Sequence, residues 1–196
     1  MKNLYIDNTE KIEKFMKANL SEKRYIHSIG VSKMAFILAK IHGADENKAY
    51  IAGKYHDIAK CFTDELLNRY IREYGIDEKF YNNNPLAHSK VAAAILMYEF
   101  SICDEDVLNA VRSHTTGRVG MSLLEEVVYV ADAIEENRNY PELTALQEKA
   151  RHDLDGACLD IMNFAIQFLK EKGRIIDEDT IMAKDFIEHK IKNASK

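Results

Sequence analysis

Proline and glycine are scarce in this chain of 196 residues, with two and eight copies, too few for a turn-rich β-sandwich. The three cysteines, Cys61, Cys103 and Cys158, form no CxxC pair, so their spacing indicates neither a zinc nor a redox site. Each lies among apolar residues, which predicts buried, reduced thiols. No stretch approaches the ~20 apolar residues that span a bilayer. The N-terminus lacks the apolar core of a signal peptide, so we expect a cytoplasmic protein without a membrane partner.

A strong excess of positive charge is also missing, since 27 basic and 32 acidic residues give a formal net charge of −5. A general nucleic-acid-binding protein usually carries a basic excess or patch, so we expect no nucleic-acid partner. The net charge of the chain does not determine the charge of a single cleft. A negative net charge is therefore compatible with a basic pocket for one phosphorylated small molecule. The length fits one domain with a sizeable core.

Helix signals are abundant, whereas strand-like alternation and internal repeats are missing. The segment 122–125 matches a capping box, and Gly43 is suited to close a helix. The helix that Ser21 opens carries the apolar residues Ile26, Met34, Ile37, Leu38 and Ile41. The sequence predicts an all-α fold, with helices that start at Thr9, Ser21, Asp45 (to about Lys60), Thr63, Pro85, Asp104 or Asp106 (to about His114) and Ser122, and two more over 154–172 and 180–192.

Histidine and aspartate form an ordered set along these helices. Asp132 lies in the apolar run 127–134, and an ionised carboxylate there costs several kcal/mol unless a cation or hydrogen-bond donors compensate it. An arginine partner or a helix cap would also satisfy Asp132, and a single histidine on an apolar face is more often an ordinary core residue. The joint pattern favours a metal site, with candidate ligands His27, His56, Asp57, His88, His114 and Asp132.

The same residues carry a family resemblance. Their order resembles the HD-domain superfamily of metal-dependent phosphohydrolases. The longer motifs resemble its YqeK-like branch, the symmetrical bis(5'-nucleosyl)-tetraphosphatases. One departure is Glu136, because that branch usually has proline after the glutamate of its last motif. The motifs are Tyr55-His-Asp-Ile-Ala-Lys60, Ser113-His-Thr-Thr-Gly117, Ala131-Asp-Ala-Ile-Glu135 and Arg138-Asn-Tyr-Pro141.

The resemblance implies a single-domain helical bundle over residues 1–196 with a metal site in its core. The motif-bearing part covers about 21–141, and the helices of 153–192 pack on it. The implied activity is symmetrical hydrolysis of diadenosine tetraphosphate to two ADP by a metal-activated hydroxide. A homodimer is compatible with the sequence, as it is with many small helical enzymes. Within the same superfamily, alternatives are a nucleotidase or phosphodiesterase for mononucleotides or cyclic nucleotides, an oxygen-dependent di-iron enzyme, and a non-catalytic signalling module.

The resemblance also implies roles for single residues. His27, His56, Asp57 and Asp132 would hold a first ion, and Asp57, His88 and His114 a second. Imidazole and carboxylate ligands suit transition metals, so we expect one or two divalent ions, iron first, with manganese, zinc, cobalt and nickel as alternatives. Catalysis would depend on Asp57, Lys60, His88 and His114.

Expected substrate contacts follow the ligand motifs. Lys60 lies one helical turn after His56 and could reach a metal-held phosphate. Its alternative role is a cation at a helix C-terminus. Glu135 could orient a ligand histidine, and we read His42, His152 and His189 as surface residues. The expected nucleotide contacts are Lys60, Thr115, Thr116, Gly117, Arg138 and Tyr140.

Overall fold

The cap residues expected from the sequence begin the observed helices. In the structure, a computed structural model that describes residues 9–194, Ser21, Asp45, Thr63 and Asp104 each accept a hydrogen bond from a backbone N–H in the first helical turn. Ser122 takes part in a reciprocal capping box. Residues 9–194 contain no β-strand, which confirms the all-α expectation. The helices are α1 (Thr9–Asn19), α2 (Glu22–His42), α3 (Glu46–Tyr55), α4 (Asp64–Glu73), α5 (Asn84–Tyr98), α6 (Glu105–Ser113), α7 (Leu123–Ile134), α8 (Leu143–His152), α9 (Leu154–Glu171) and α10 (Glu178–Ala194), with a short 3-10 helix over Glu78–Phe80.

Two helices, α2 and α7, form the centre of the bundle. Helix α2 packs on α3 and α7, and α7 also contacts α6 and α9. Helix α5 lies against α4 and α6, while α8 and α10 pack on α9. No helix within residues 9–194 is both long and apolar enough to cross a membrane. The central position of α2 and α7 brings residues far apart in sequence into one core.

The apolar residues of α2 do not all face the core, although Leu38 is fully buried and Met34 packs against the core. Ile26, Ile37 and Ile41 are 46%, 39% and 44% exposed. The face toward α3 and α7 consists mainly of small residues together with His27. Close approach is the reason: a Cβ atom added at Gly53 would lie 3.1 Å from the backbone carbonyl oxygen of Val31. Bulky side chains do not fit between helices this close, so they lie on the outer face.

Helix α3 ends at Tyr55, five residues before the expected Lys60. The carbonyl of Gly53 accepts a hydrogen bond of 2.7 Å from Nδ1 of His56. The chain then continues in turns, with Ile58 N–H bonded to the Tyr55 carbonyl and Lys60 N–H to that of Asp57. This irregular segment lets two consecutive side chains, His56 and Asp57, point to the same place.

Other expectations need correction. Cys61 and Cys103 are exposed, and only Cys158 is buried, because neighbouring apolar residues in sequence do not fix which face a side chain takes. Helix α8 was not predicted, and its N-cap residue, Glu142, makes no capping hydrogen bond with its side chain. Helix α7 ends at Ile134, and Arg138 lies in the loop that follows it.

A polar cluster around the buried Glu126 joins α7 to the C-terminal helices. Lys190 donates to Glu126 at 2.7 Å and to Asp155 at 2.8 Å. Glu126 is fully buried, and its Oε2 atom has no hydrogen-bond partner among the described residues. Burial and the neighbouring Asp155 carboxyl raise the pKa of Glu126 to about 7.

The cluster predicts a pH dependence of stability. Because the pKa of Glu126 is higher in the folded state than its ordinary 4.5, folding favours the protonated form. Its stabilising contribution is therefore complete below about pH 4.5 and is lost as pH rises toward about 7. Relative to Glu126→Gln, the free energy of unfolding of the wild type should fall over this range by at most about 3 kcal/mol. Chemical denaturation of both proteins, with chelator present, measures the free energy of unfolding at each pH. The same pH dependence in the two proteins would contradict the prediction.

Candidate metal centre

Six expected ligands, drawn from five parts of the chain, meet in the core. Each side chain is placed by a helix or by the segment that follows one. All are buried except Asp132, whose side chain is 23% exposed. They are His27 from α2, His56 and Asp57 after α3, His88 from α5, His114 at the end of α6, and Asp132 from α7.

Asp57 lies at the middle of this cluster, and its two oxygens face different pairs of imidazoles. Oδ2 lies 3.3 Å from Nε2 of His56 and 3.8 Å from Nε2 of His27. Oδ1 lies 3.2 Å from Nε2 of His88 and 3.4 Å from Nε2 of His114. A carboxylate in this position can bridge two adjacent ions, one on each side.

Asp132 completes one side of the cluster. Its Oδ1 lies 3.0 Å from Nε2 of His27 and 3.7 Å from Nε2 of His56. Arg138 also donates to this carboxylate at 2.5 Å and to the Asp132 backbone carbonyl at 2.8 Å. Both readings of Asp132 made from the sequence, an arginine partner and a place in the histidine cluster, are therefore present together.

The imidazoles are held with Nε2 directed into the cluster. A backbone carbonyl can only accept, so an Nδ1 atom bonded to one must carry the proton, which leaves the Nε2 lone pair free. This is the tautomer that a metal ligand requires. Three imidazoles are fixed in this way: His56 donates to the Gly53 carbonyl at 2.7 Å, His88 to that of Asn84 at 3.0 Å and His114 to that of Val111 at 2.8 Å.

His27 uses a carboxylate for the same purpose. Its Nδ1 lies 3.1 Å from Oε1 of Glu135. The other Glu135 oxygen accepts from the backbone N–H of Asn137 at 2.7 Å and from its side-chain amide at 2.9 Å. A Cβ atom at Gly30 would collide with this carboxylate. The glycine on α2 therefore leaves the space that Glu135 occupies beside His27.

Replacing Glu135 by alanine should weaken metal binding about 10- to 100-fold, because His27 loses the group that sets its tautomer and orientation. Competitive chelator titration measures the change. Glu136→Ala is a matched control, since Glu136 is the next residue and its exposed side chain pairs with the exposed Lys33 at 3.3 Å. Equal metal affinity in the two variants would contradict the role of Glu135.

Burial and charge set the protonation states of the cluster. Burial lowers the pKa of His114 to about 4 and also lowers the pKa of His88. Burial alone would raise the pKa of Asp57, but His56 and the other imidazoles hold it well below its usual range. The pKa of His56 is instead raised, because the Asp57 and Asp132 carboxylates outweigh the opposing effect of burial. Neutral His88 and His114 beside an ionised Asp57 are in the forms that bind metals.

The residues therefore fit a divalent transition metal. Nε2 of His27, Nε2 of His56 and Oδ1 of Asp57 are buried without a hydrogen-bond partner among the described residues. Buried polar atoms normally have partners, and a cation coordinated by nitrogen and oxygen would satisfy all three. Three overlapping sets place their ligand atoms within 4.8 Å of one another: His27, His56 and Asp57; His56, His114 and Asp132; and Asp57, His88 and His114.

The cluster opens into a cavity of about 670 Å³. Lys60 lines it and lies 3.2 Å from Nε2 of His88. Thr115 places its hydroxyl 3.3 Å from Nε2 of His88 and 3.2 Å from that of His114. Arg138 and Tyr140 also line the cavity, and the Tyr140 hydroxyl donates to the Ala133 carbonyl.

Sequence reasoning missed Arg24, which lies on α2 one turn before His27. Its Nη1 donates to Oδ2 of Asp57 at 2.7 Å, and its side chain lines the cavity. The spacing of three residues puts both side chains on one face of the helix. The local sequence shows only one basic residue among several, so Arg24 becomes visible once His27 is placed.

Two expected nucleotide contacts do not line the cavity. Thr116 is buried, and its hydroxyl donates to the Gly117 carbonyl. Gly117 has a φ of 69° and lies against Met162 and Ala183, on the side of α9 and α10. Arg118 pairs with the buried Glu125 at 2.6 Å. Of the motif that follows His114, the structure thus brings only Thr115 to the cavity.

An all-helical core with imidazoles and aspartates in this order defines the HD class of metal-dependent hydrolases. The family model described as HD domain matches residues 24–137. The chain belongs to this superfamily and, within it, to the family of symmetrical bis(5'-nucleosyl)-tetraphosphatases, as the following relatives show.

Comparison with individual proteins gives the same family. The symmetrical bis(5'-nucleosyl)-tetraphosphatase of Halalkalibacterium halodurans is 39% identical over 89% of this chain and 94% of its own length. That of Bacillus subtilis is 38% identical over 92% and 97%. A solved structure described as a predicted HD superfamily hydrolase involved in NAD metabolism, from Clostridium acetobutylicum, is 37% identical with a TM-score of 0.88, covering 93% of this chain and 97% of that one.

Proposed function

We propose that this chain hydrolyses dinucleoside tetraphosphates symmetrically, converting diadenosine tetraphosphate and water into two ADP in a metal-dependent reaction. The whole chain of 196 residues forms one functional domain in this proposal. The names of the relatives from Halalkalibacterium halodurans and Bacillus subtilis support the substrate and the symmetry of cleavage. The cavity geometry supports a phosphorylated small molecule as the substrate.

The observation that carries the proposal is the position of Asp57 between two pairs of imidazoles, at the base of a cavity with cationic side chains. Two ions on either side of such a carboxylate would lie close together. Metals at a site of this kind supply Lewis acidity, lower the pKa of bound water and neutralise charge on phosphoryl oxygens. His27, His56, Asp57 and Asp132 would hold one ion, and Asp57, His88 and His114 the other.

The cationic residues bind and orient the phosphate chain. Lys60, Arg24 and Arg138 line one cavity together with Asp57 and Asp132. Their positive charge compensates the tetraphosphate, and the planar guanidinium groups suit bidentate contact with phosphate oxygens. Thr115 adds a hydroxyl donor next to His88 and His114. Together these groups place the central phosphates over the metal cluster and leave the outer parts of the substrate to the rest of the cavity.

Iron is the proposed native metal, with manganese, zinc, cobalt and nickel as the other candidates for an imidazole and carboxylate site. The cytoplasmic location expected from the sequence stays a prediction, as does a homodimer. The partner in the reaction is a nucleotide, and no nucleic-acid partner is proposed.

The test is hydrolysis of diadenosine tetraphosphate by metal-reconstituted protein, with products separated by chromatography. Two ADP per substrate, and no reaction with chelator, is the expected result. Equal amounts of AMP and ATP would refute symmetrical cleavage. Metal binding without turnover of this substrate, but with release of phosphate from mononucleotides or opening of cyclic nucleotides, would support a different HD enzyme.

A further inference from the structure

Helix α9 forms one wall of the cavity that contains the metal cluster. Four α9 residues line it and recur at the spacing of one helical face. Leu146 of α8 continues the same apolar surface. The cavity thus has a charged end at the cluster and an apolar end formed by Ile161, Phe164, Ala165 and Phe168 of α9.

Two phenylalanines on this wall remain open to solvent. Phe164 and Phe168 are 49% and 52% exposed, although both line the cavity. They lie one turn apart, and Ala165 between them is too small to cover either ring. Nζ of Lys172 lies 5.8 Å from the ring centre of Phe168. Exposed apolar surface that continues into a polar site is typical of a ligand-binding surface.

We propose that Phe164 and Phe168 form the surface on which a nucleobase of the substrate stacks. The inference rests on the proposed function, because the charged end of the cavity takes the phosphates and the base is the flat apolar part left over. Aromatic side chains stack on any base, since every base has a π face. Tyr140 also lines the cavity, with its hydroxyl fixed to the Ala133 carbonyl at 2.8 Å.

Helix α9 lies outside the residues that the HD family model matches, 24–137. The six metal-site residues and Lys60 all lie inside that range. The shared part of the fold therefore carries the hydrolytic chemistry, and α9 adds a wall that the shared part lacks. A nucleobase surface on α9 would favour nucleotides over simple polyphosphates.

The test uses metal-reconstituted wild-type protein, Phe164→Ala, Phe168→Ala and the double variant. The KM for diadenosine tetraphosphate should rise about tenfold for each single variant, with kcat little changed, because a stacking contact is equally present before and during the reaction. Calorimetry should show a similar loss of ADP affinity and no change in inorganic pyrophosphate affinity. Phe164→Trp should retain ADP binding, and Ile175→Ala, at a site 95% exposed, is the control for a surface hydrophobic residue.

The outcomes separate this inference from the proposed function. If the wild type does not hydrolyse the dinucleotide but the alanine variants lose ADP affinity, the stacking surface is supported and the proposed activity is refuted. If the wild type hydrolyses it and the variants keep both KM and ADP affinity, the activity stands and the surface is refuted. Equal loss of pyrophosphate and ADP affinity, or a changed oligomeric state with unchanged ADP affinity, would also overturn it.

Discussion

Replacing Asp57 by alanine should remove both bound metal and hydrolysis. Asp57 faces all four imidazoles, so its loss takes a ligand from both sides of the cluster. Metal ions contribute several kcal/mol to stabilising a phosphoryl transition state, which corresponds to a fall in kcat/KM of about 1,000-fold or more. Elemental analysis after gel filtration and steady-state kinetics measure the two effects together.

A graded variant sharpens this prediction. The asparagine of Asp57→Asn retains one oxygen, the amide carbonyl, as a metal ligand. This variant should bind at most one ion, with activity far below that of the wild type. Asp185→Ala is the matched control, because the Asp185 side chain is 57% exposed and pairs with Lys184. Far-ultraviolet circular dichroism checks folding of each variant. Full metal content and normal turnover in a folded Asp57→Ala protein would remove Asp57 from the site.

The sequence was sufficient for the features that depend on local chemistry. N-caps such as Ser21 and Asp45 were recognisable because a short polar side chain before an apolar pattern satisfies free backbone N–H groups. The candidate ligands were recognisable because their order matches a family, and the structure brings all six together. Single residues would not have been enough, since His42 has the same side chain and its Nε2 donates to the Ala150 carbonyl at 2.7 Å.

The features that could not be predicted from the sequence depend on how helices far apart in the chain approach one another. The small-residue face of α2 packs inward because α3 and α7 lie close, which the positions of Ile26 and Ile37 do not reveal. Arg24 acquires a role only when the turn after α3 brings Asp57 to it. Helix α8 has no side-chain cap and so no start signal. In each case tertiary contacts override local preference.

Replacing Lys60 by alanine should lower kcat/KM about 100-fold or more and leave metal content unchanged. Lys60 lines the cavity with its Nζ 3.2 Å from Nε2 of His88, on the side open to the substrate. Burial lowers its pKa, and the Asp57 and Asp132 carboxylates act in the opposite direction. A fixed charge next to the developing phosphoryl charge contributes on the order of 100- to 1,000-fold in rate.

Lys54→Ala is the matched control for this prediction. Lys54 lies six residues earlier, on α3, and its Nζ pairs with Glu13 at 2.8 Å. Lys60→Arg retains charge with a different shape and should recover part of the activity if Lys60 binds phosphate. Loss of metal together with activity in Lys60→Ala would mean that Lys60 only positions His88. Unchanged kcat/KM would mean that it has no contact with the substrate, and the phosphate chain would then depend on Arg24 and Arg138.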